Sequence, residues 1–229
     1  MRVDRLVSNL GYCTRGEVAE LIKDGTITHI DGVKLEPSSN VSHSDILYDN
    51  APLDPIKLLI VLHKPLGFVC SHSDSDGKSI YELLPPRYRA REPKISTIGR
   101  LDKDSSGLIL LSDDGELNHL LTAPKNKVAK TYIAHLAREC DESAIKIFSS
   151  GELMLRGEKT PLLPAKLEIL ESKIAKIEIV EGRYHQVRRM FAAIGNHVES
   201  LHRISFGDFT LDDLAIGQMR LSKWPDSSN

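Results

Sequence analysis

Beyond residue 57 the apolar residues fall into short runs of strand length, and most of these runs follow one another without a long helix between them. The runs lie at 58–63, 108–111, 130–136, 165–170 and 173–180. Shorter segments at 79–84 and 116–121 indicate helices, and 186–194 is amphipathic with helical spacing. A succession of strands with few helices predicts an α+β fold built on an antiparallel-rich mixed sheet.

The N-terminal segment begins with a helix signal. Thr14 and Glu17 have the spacing of a capping box, in which each side chain satisfies a backbone amide of the other residue. The apolar residues at positions 18, 21 and 22 then share one helical face, and Gly25 stands where such a helix would end.

A β-hairpin is predicted next. The alternating segment 26–30 runs into Asp31-Gly32, a strong two-residue turn, and 33–35 would be the returning strand, with 45–48 as a candidate third strand. The proline-containing stretch 49–55 has the composition of a linker. We therefore predict two domains, a small one at 1–57 and a larger one at 58–229.

Cysteine usage and hydropathy limit the classes of protein. Three widely spaced cysteines without a Cys-x-x-Cys pair argue against a disulfide framework or a zinc site and favour a reducing compartment. The longest apolar runs are far too short to span a bilayer, and the N-terminus has no signal-peptide core. A cytoplasmic protein is expected.

Charge is unevenly distributed along the chain. The net charge of −2 alone argues weakly against a nucleic-acid partner, because phosphate neutralisation drives such binding. However, six Lys/Arg against two Asp/Glu stand between residues 87 and 103, and further basic groups occur at 125–130 and 183–189. Each group alone could be a solvated surface, but together they suggest a local phosphate-binding face.

The segment 99–108, between two predicted strands, contains Asp102. Gly99 and Gly107 allow sharp turns, so this loop can hold Asp102 on a rigid base. Taken alone, an aspartate in a turn is more often a capping residue than a catalytic one.

Four segments resemble the pseudouridine synthase family, in the family's own order. "GRLDKDSSGLILLSDDG" (99–115) resembles its catalytic segment, and "HKPLGFVCS" (63–71) its opening strand and turn. "KTYIAHL" (130–136) resembles the strand with the active-site tyrosine, and "EGRYHQVRRMFAAIGNHV" (181–198) the basic helix. Residues 14–32, "TRGEVAELIKDGTITHIDG", resemble the S4 RNA-binding domain. The combination is typical of the RsuA-type branch.

The resemblance implies roles for individual residues. Asp102 would be the catalytic nucleophile or base, Tyr132 would stack on the flipped uracil, and Arg188 would keep the Asp102 carboxylate ionised. Arg100 would fill the space that the flipped base leaves and hold phosphate. Further RNA-binding or site-framing residues are Arg183, Gln186 and Arg189 in the larger domain and Arg2, Arg5, Arg15 and Lys23 in the S4-like one. No metal or cofactor is implied.

The expected activity is isomerisation of a uridine to pseudouridine in small-subunit (16S) ribosomal RNA. The RNA itself or a small-subunit assembly intermediate would be the partner, and the enzyme would act as a monomer without a membrane. Modification of large-subunit (23S) RNA is the first alternative. A non-catalytic RNA-binding assembly factor is the second, and the joint presence of Asp102, Tyr132 and Arg188 argues against it.

Overall fold

The computed structural model describes residues 1–223, apart from the side chain of residue 74, and these residues contain two separate β-sheets. The C-terminal end of the predicted 58–229 domain, residues 224–229, lies outside the described part. The first sheet belongs to the N-terminal unit, whose elements are α1 (Val3–Asn9), α2 (Val18–Lys23), β1 (Ile27–His29), β2 (Ile46–Tyr48) and β3 (Ala51–Pro52).

The helices of this unit pack on its sheet around a core of its own. The core consists of nine buried apolar residues: Val3, Leu6, Val7, Leu10, Val18, Ile27, Leu35, Ile46 and Leu53. The predicted capping box is half formed. The Thr14 amide donates to the Glu17 carboxylate (2.7 Å), but the Thr14 hydroxyl donates to the same carboxylate oxygen instead of accepting an amide. Gly25, with φ +86°, follows the end of α2 as expected.

The predicted N-terminal hairpin is wrong in its second strand. The turn forms, since the Gly32 amide donates to the His29 carbonyl (2.9 Å), but residues 33–35 make no strand. Instead β1 pairs antiparallel with β2, in a register that places Ile27 opposite Tyr48. β2 contributes Ile46 to the core, whereas segment 33–35 contributes Leu35 to the same core without forming a strand.

The second sheet has nine strands within the described residues. They are β4 (Leu59–Lys64), β5 (Ser96–Ile98), β6 (Ser105–Ser112), β7 (Lys130–Leu136), β8 (Lys166–Glu171), β9 (Ile174–Ile179), β10 (Val198–Phe206), β11 (Phe209–Thr210) and β12 (Met219–Leu221). The order is β12-β4-β6-β10-β7-β9-β8, with β5 on β6 and β11 on β10. Only β6 and β10 pair in parallel among these strands. The predicted antiparallel-rich mixed sheet is confirmed.

Both faces of this sheet are covered. One face packs in the same core as α5 (Glu142–Ser149) and α6 (Gln186–Ala193), whose Phe148 and Phe191 rings meet edge to face at 5.2 Å. The other face packs against α4 (Gly115–Thr122) through Leu117 and Leu121. None of the helices in residues 1–223 has the length and apolar character needed to cross a membrane.

A buried arginine joins the two units. Arg91 follows the short helix α3 (Pro86–Arg89), and its Nε donates to the Asp113 carboxylate at 2.7 Å. Its NH2 group donates to the carbonyls of Pro55 and Ile56, at 2.9 and 2.8 Å. Residues 55–56, which lead into the large sheet, are thereby tied through Arg91 to the loop that follows β6 and contains Asp113.

Candidate active site

The loop that carries Asp102 lies between β5 and β6, and a buried lysine holds its backbone. Lys64, the last residue of β4, donates from Nζ to the carbonyl oxygens of Asp102 (3.0 Å), Ser105 (2.7 Å) and Pro65 (3.1 Å). Burial lowers the pKa of the Lys64 ammonium. The Asp102 carbonyl also accepts from the Ser105 amide at 3.1 Å. The loop backbone is thus fixed, while the Asp102 side chain is 32% exposed to solvent.

Lys64 was not singled out from the sequence. The available signal was a charged residue at the end of an otherwise apolar strand and directly before a proline. A fully buried lysine needs acceptors. Here two of the three acceptors are carbonyls of the catalytic loop, those of Asp102 and Ser105, so Lys64 is a positioning residue for Asp102.

Gly107 sets the path of β6 beyond the loop. It has φ +109° and lies opposite Arg203 of β10, so close that an added Cβ would overlap the Arg203 backbone. Only glycine has no Cβ and also adopts this φ readily. The predicted turn residue therefore allows the parallel β6–β10 contact that places the loop beside the rest of the site.

A histidine, His185, faces the Asp102 carboxylate. Its Nε2 lies 3.3 Å from Asp102 Oδ1, an ion pair whenever the imidazole is protonated. His185 precedes α6 and has a left-handed backbone, with φ +48° and ψ +34°. His185 is not among the site residues predicted from the sequence. Its contact with Asp102 depends on a backbone conformation that a motif does not reveal.

Arg188 reaches the same loop at a different residue. Its NH2 group lies 3.1 Å from the Asp104 carboxylate and donates to the Asp104 carbonyl at 3.0 Å. Its NH1 group donates to the carbonyl of Val198 at 2.9 Å. The ion pair predicted between Arg188 and Asp102 is therefore formed with Asp104 in the described structure, and Arg188 links α6, β10 and the catalytic loop.

Tyr132 lies on β7 opposite Arg203, on the sheet face that also buries Leu101. Its side chain is 7% exposed, and the Arg203 guanidinium carbon lies 5.9 Å from the centre of its ring. The ring therefore lies in the buried core that also contains Leu101 of the catalytic loop. Its stacking on a flipped uracil stays a prediction.

Arg183 and Arg189 are engaged within the protein. Both pair with the Glu158 carboxylate, at 3.3 and 2.8 Å, and the hydrogen bond from Arg189 is the main reason that the pKa of Glu158 is lowered. Gln186 is buried, accepts from the Arg183 amide at 2.9 Å and donates to Glu181 at 3.0 Å. Of the two roles predicted for these three side chains, these contacts agree with framing the site rather than with free phosphate binding.

The remaining predicted RNA contacts are surface cations. Arg100, two residues before Asp102, is exposed at the site. Four others lie on the surface of the N-terminal unit, where Arg2 pairs with Asp4 at 2.8 Å: Arg2, Arg5, Arg15 and Lys23. Their contact with RNA stays a prediction.

The arrangement provides a solvent-accessible carboxylate on a rigid backbone, beside an imidazole and a guanidinium. Such a carboxylate can act as a nucleophile or a base toward a substrate that enters from solvent. In residues 1–223 no group of three His, Cys, Asp or Glu side chains is arranged to hold a metal ion. Asp113 and Asp114 have structural roles, since Asp114 caps α4 and Asp113 pairs with Arg91.

Comparison with known proteins agrees with this chemistry. The family model described as RNA pseudouridylate synthase matches residues 58–193, more than half of the chain. The ribosomal small subunit pseudouridine synthase A of Pasteurella multocida is 39% identical over 224 residues, covering 96% of this chain and 95% of that protein. The Escherichia coli protein of the same name is 36% identical over 228 residues, with the same coverage.

A solved structure described as a pseudouridylate synthase is similar over the whole fold. It has a TM-score of 0.68 and 36% identity, and the match covers 97% of this chain and 96% of that one. The resemblance to the RsuA-type branch is thereby confirmed. With a matching family model and relatives that align almost from end to end, the chain belongs to the RNA pseudouridylate synthase family and is a pseudouridine synthase.

Proposed function

We propose that this enzyme converts one uridine of small-subunit ribosomal RNA to pseudouridine, with Asp102 as the catalytic nucleophile or base. The observation that carries the proposal is the partly exposed Asp102 carboxylate on a loop whose backbone is tied to the buried Lys64. The choice of RNA is supported by the relatives, which are named ribosomal small subunit pseudouridine synthase A.

The reaction is an isomerisation that needs no oxidant or reductant. The N1–C1′ bond of the uridine breaks, the uracil rotates, and C1′ bonds to C5, while C5 loses a proton and N1 gains one. The base must first leave its helix, which costs about a few kcal/mol. Asp102 then acts on the flipped nucleotide, with Arg100 in the vacated space and Tyr132 against the uracil.

The side chain that we assign to contact Asp102 differs from the one predicted from the sequence. We assign the direct contact to His185, whose Nε2 is 3.3 Å from Oδ1, and give Arg188 the role of holding Asp104 and the loop. A contact at one carboxylate oxygen would hold the orientation of Asp102 toward the flipped nucleotide. Arg188 then serves catalysis by fixing the loop on which Asp102 stands.

RNA binding would also use the N-terminal unit. We propose residues 1–57 as an S4-like RNA-binding domain and 58–229 as the catalytic domain. With six Lys/Arg against nine Asp/Glu in residues 1–57, phosphate contacts in that domain would rest on few side chains, namely Arg2, Arg5, Arg15 and Lys23. The enzyme would act as a cytoplasmic monomer, on the RNA or on a small-subunit assembly intermediate.

An Asp102→Asn variant tests the catalytic assignment. We expect it to lose tritium release from 5-tritiated ribosomal RNA of cells that lack the enzyme, and to keep its RNA affinity, because the amide is the same size but is not a nucleophile. Asp208→Asn, an exposed aspartate in the turn before β11, is the matched control and should react normally. Full activity of Asp102→Asn would end the proposal.

Mapping of pseudouridines tests the choice of RNA. Both ribosomal RNAs from cells with and without the protein would be mapped, and we expect one small-subunit position to lose its pseudouridine. Loss confined to the large-subunit RNA would correct the substrate and leave the role of Asp102 standing.

A further inference from the structure

An exposed tyrosine stands next to the histidine that faces Asp102. Tyr184 is 76% exposed, and it is the only one of the Phe and Tyr residues in 1–223 that is exposed rather than buried or half-buried. Its ring stacks on the His185 ring with centroids 3.9 Å apart and planes at 15°. Because one face of the Tyr184 ring is covered by His185 while most of the side chain stays exposed, the opposite face is open to solvent.

The backbone holds this ring pair in a conformation that a side chain rarely adopts. His185 is left-handed, at φ +48° and ψ +34°, although it is not a glycine. It is fixed by its neighbours, since the Arg189 amide donates to the His185 carbonyl (2.9 Å) and Arg189 NH1 to the Tyr184 carbonyl (3.1 Å). Such strained positions persist where the surroundings determine them, and they are concentrated at functional sites.

The left-handed conformation of His185 positions two rings next to the catalytic loop. It sets His185 Nε2 at 3.3 Å from Asp102 Oδ1 and stacks the Tyr184 ring on one face of the imidazole. Tyr184 therefore contacts the same side chain, His185, that contacts the Asp102 carboxylate. A nucleotide whose uracil is at Asp102 would have its chain neighbour within reach of the open face of Tyr184.

We propose that Tyr184 and His185 form a two-ring platform for RNA, an inference that rests on the proposed function. An unpaired base next to the target uridine stacks on the open face of Tyr184. His185 is a positioning residue that orients the Asp102 carboxylate. Aromatic stacking fits this role because every base has a π-face and single-stranded RNA sites are recognised in this way. The platform couples RNA binding to the geometry of the catalytic group.

Steady-state kinetics of Tyr184 variants test the stacking half. Stacking of a base on an aromatic side chain is worth about 5- to 150-fold in binding by alanine substitution, so Tyr184→Ala should raise KM for ribosomal RNA by a factor in this range, with a smaller effect on kcat. Tyr184→Phe and Tyr184→Trp should restore KM, because both keep a flat ring. Leu120→Ala, an exposed apolar residue on α4, is the control for lost surface area.

Variants of His185 test the positioning half by the split between kcat and KM. His185→Ala should lower kcat while RNA affinity holds. His185→Gln should recover part of kcat, because its amide can reach the place of Nε2. His185→Asn accepts the left-handed backbone but is too short to reach Oδ1, and it should resemble alanine. Recovery by asparagine and not by glutamine would mean that only the backbone matters, and would overturn the positioning role.

The outcomes separate this inference from the proposed function. The reference measurement is that the wild-type protein turns over and the Asp102→Asn variant does not. If either of these two results is not obtained, the proposed function itself fails. With the reference in place, an unchanged KM in Tyr184→Ala would overturn the platform alone. A raised KM in Tyr184→Phe would also overturn it, since the hydroxyl and not the ring would then bind RNA.

Discussion

Lys64→Met tests whether the buried ammonium holds the catalytic loop. Methionine has a similar length and keeps the apolar packing, but it removes three hydrogen bonds, two of which go to carbonyls of the catalytic loop. A hydrogen bond to a charged group contributes about 1.5–3 kcal/mol, which gives an upper bound of roughly 5–9 kcal/mol for the three.

Two effects reduce this bound. The Asp102 carbonyl keeps the Ser105 amide as a donor, at 3.1 Å, so it is not left without a partner. Burying the Lys64 ammonium is itself unfavourable, as its lowered pKa indicates, and the variant is relieved of that cost. We therefore expect the free energy of unfolding to fall by about 2–4 kcal/mol.

Urea denaturation followed by circular dichroism measures this loss. The matched control is Lys173→Met, an exposed lysine in the turn between β8 and β9, which should change the free energy of unfolding by less than about 0.5 kcal/mol. Tritium release under conditions where both variants are folded is the second readout, because a misplacement of about 1 Å can cost on the order of 10²-fold in rate. A loss below about 1 kcal/mol with unchanged activity would refute the idea that Lys64 positions the loop.

Three further outcomes are expected. Arg91→Met should lower the free energy of unfolding in urea by about 3–5 kcal/mol, because it leaves the buried Asp113 carboxylate without its cation. A loss of free energy as small as that for substitution of a surface arginine would contradict this. Burial, and then the nearby Arg203, lowers the pKa of Lys130 from 10.5 to about 8. Between those values the unfolded chain binds more protons, so unfolding free energy should rise with pH, and Lys130→Met should lack that rise in denaturation across pH 8–10. Arg188→Ala should lower kcat more than it raises KM, because it loosens the catalytic loop; the opposite split in steady-state kinetics would identify a phosphate contact instead.

Local sequence pattern predicted most elements of the large sheet. β7 was predicted at its observed bounds, and α6 within one residue, because apolar spacing and terminal glycines are local signals. The N-terminal hairpin was predicted wrongly because a strong turn does not decide which strands pair. Ile27 and Ile46 are paired strand residues of one small core, and Leu35 reaches the same core from a segment that is not a strand, so an apolar pattern marks the buried residues without fixing which segments pair.

The residue types of the site were predictable, but their partners were not. Asp102 and Arg188 were both assigned to the site from sequence motifs, and the fold does bring Arg188 to the catalytic loop. That it meets Asp104 and not Asp102 depends on the position of α6 relative to β6, which no local pattern specifies. The role of Lys64 depends in the same way on a contact 38 residues distant along the chain.

The two oxygens of Asp102 have different surroundings, and this division bears on catalysis. Oδ1 faces His185 Nε2 at 3.3 Å, whereas Oδ2 accepts no hydrogen bond from residues 1–223. Lys64 is engaged with carbonyls and Arg188 with Asp104, so neither occupies the free oxygen. One oxygen can therefore fix the orientation of the carboxylate while the other meets the substrate. A change at His185 should then misdirect the reacting oxygen without removing it. Variants of His185 are therefore expected to reduce turnover partially, whereas Asp102→Asn is expected to abolish turnover.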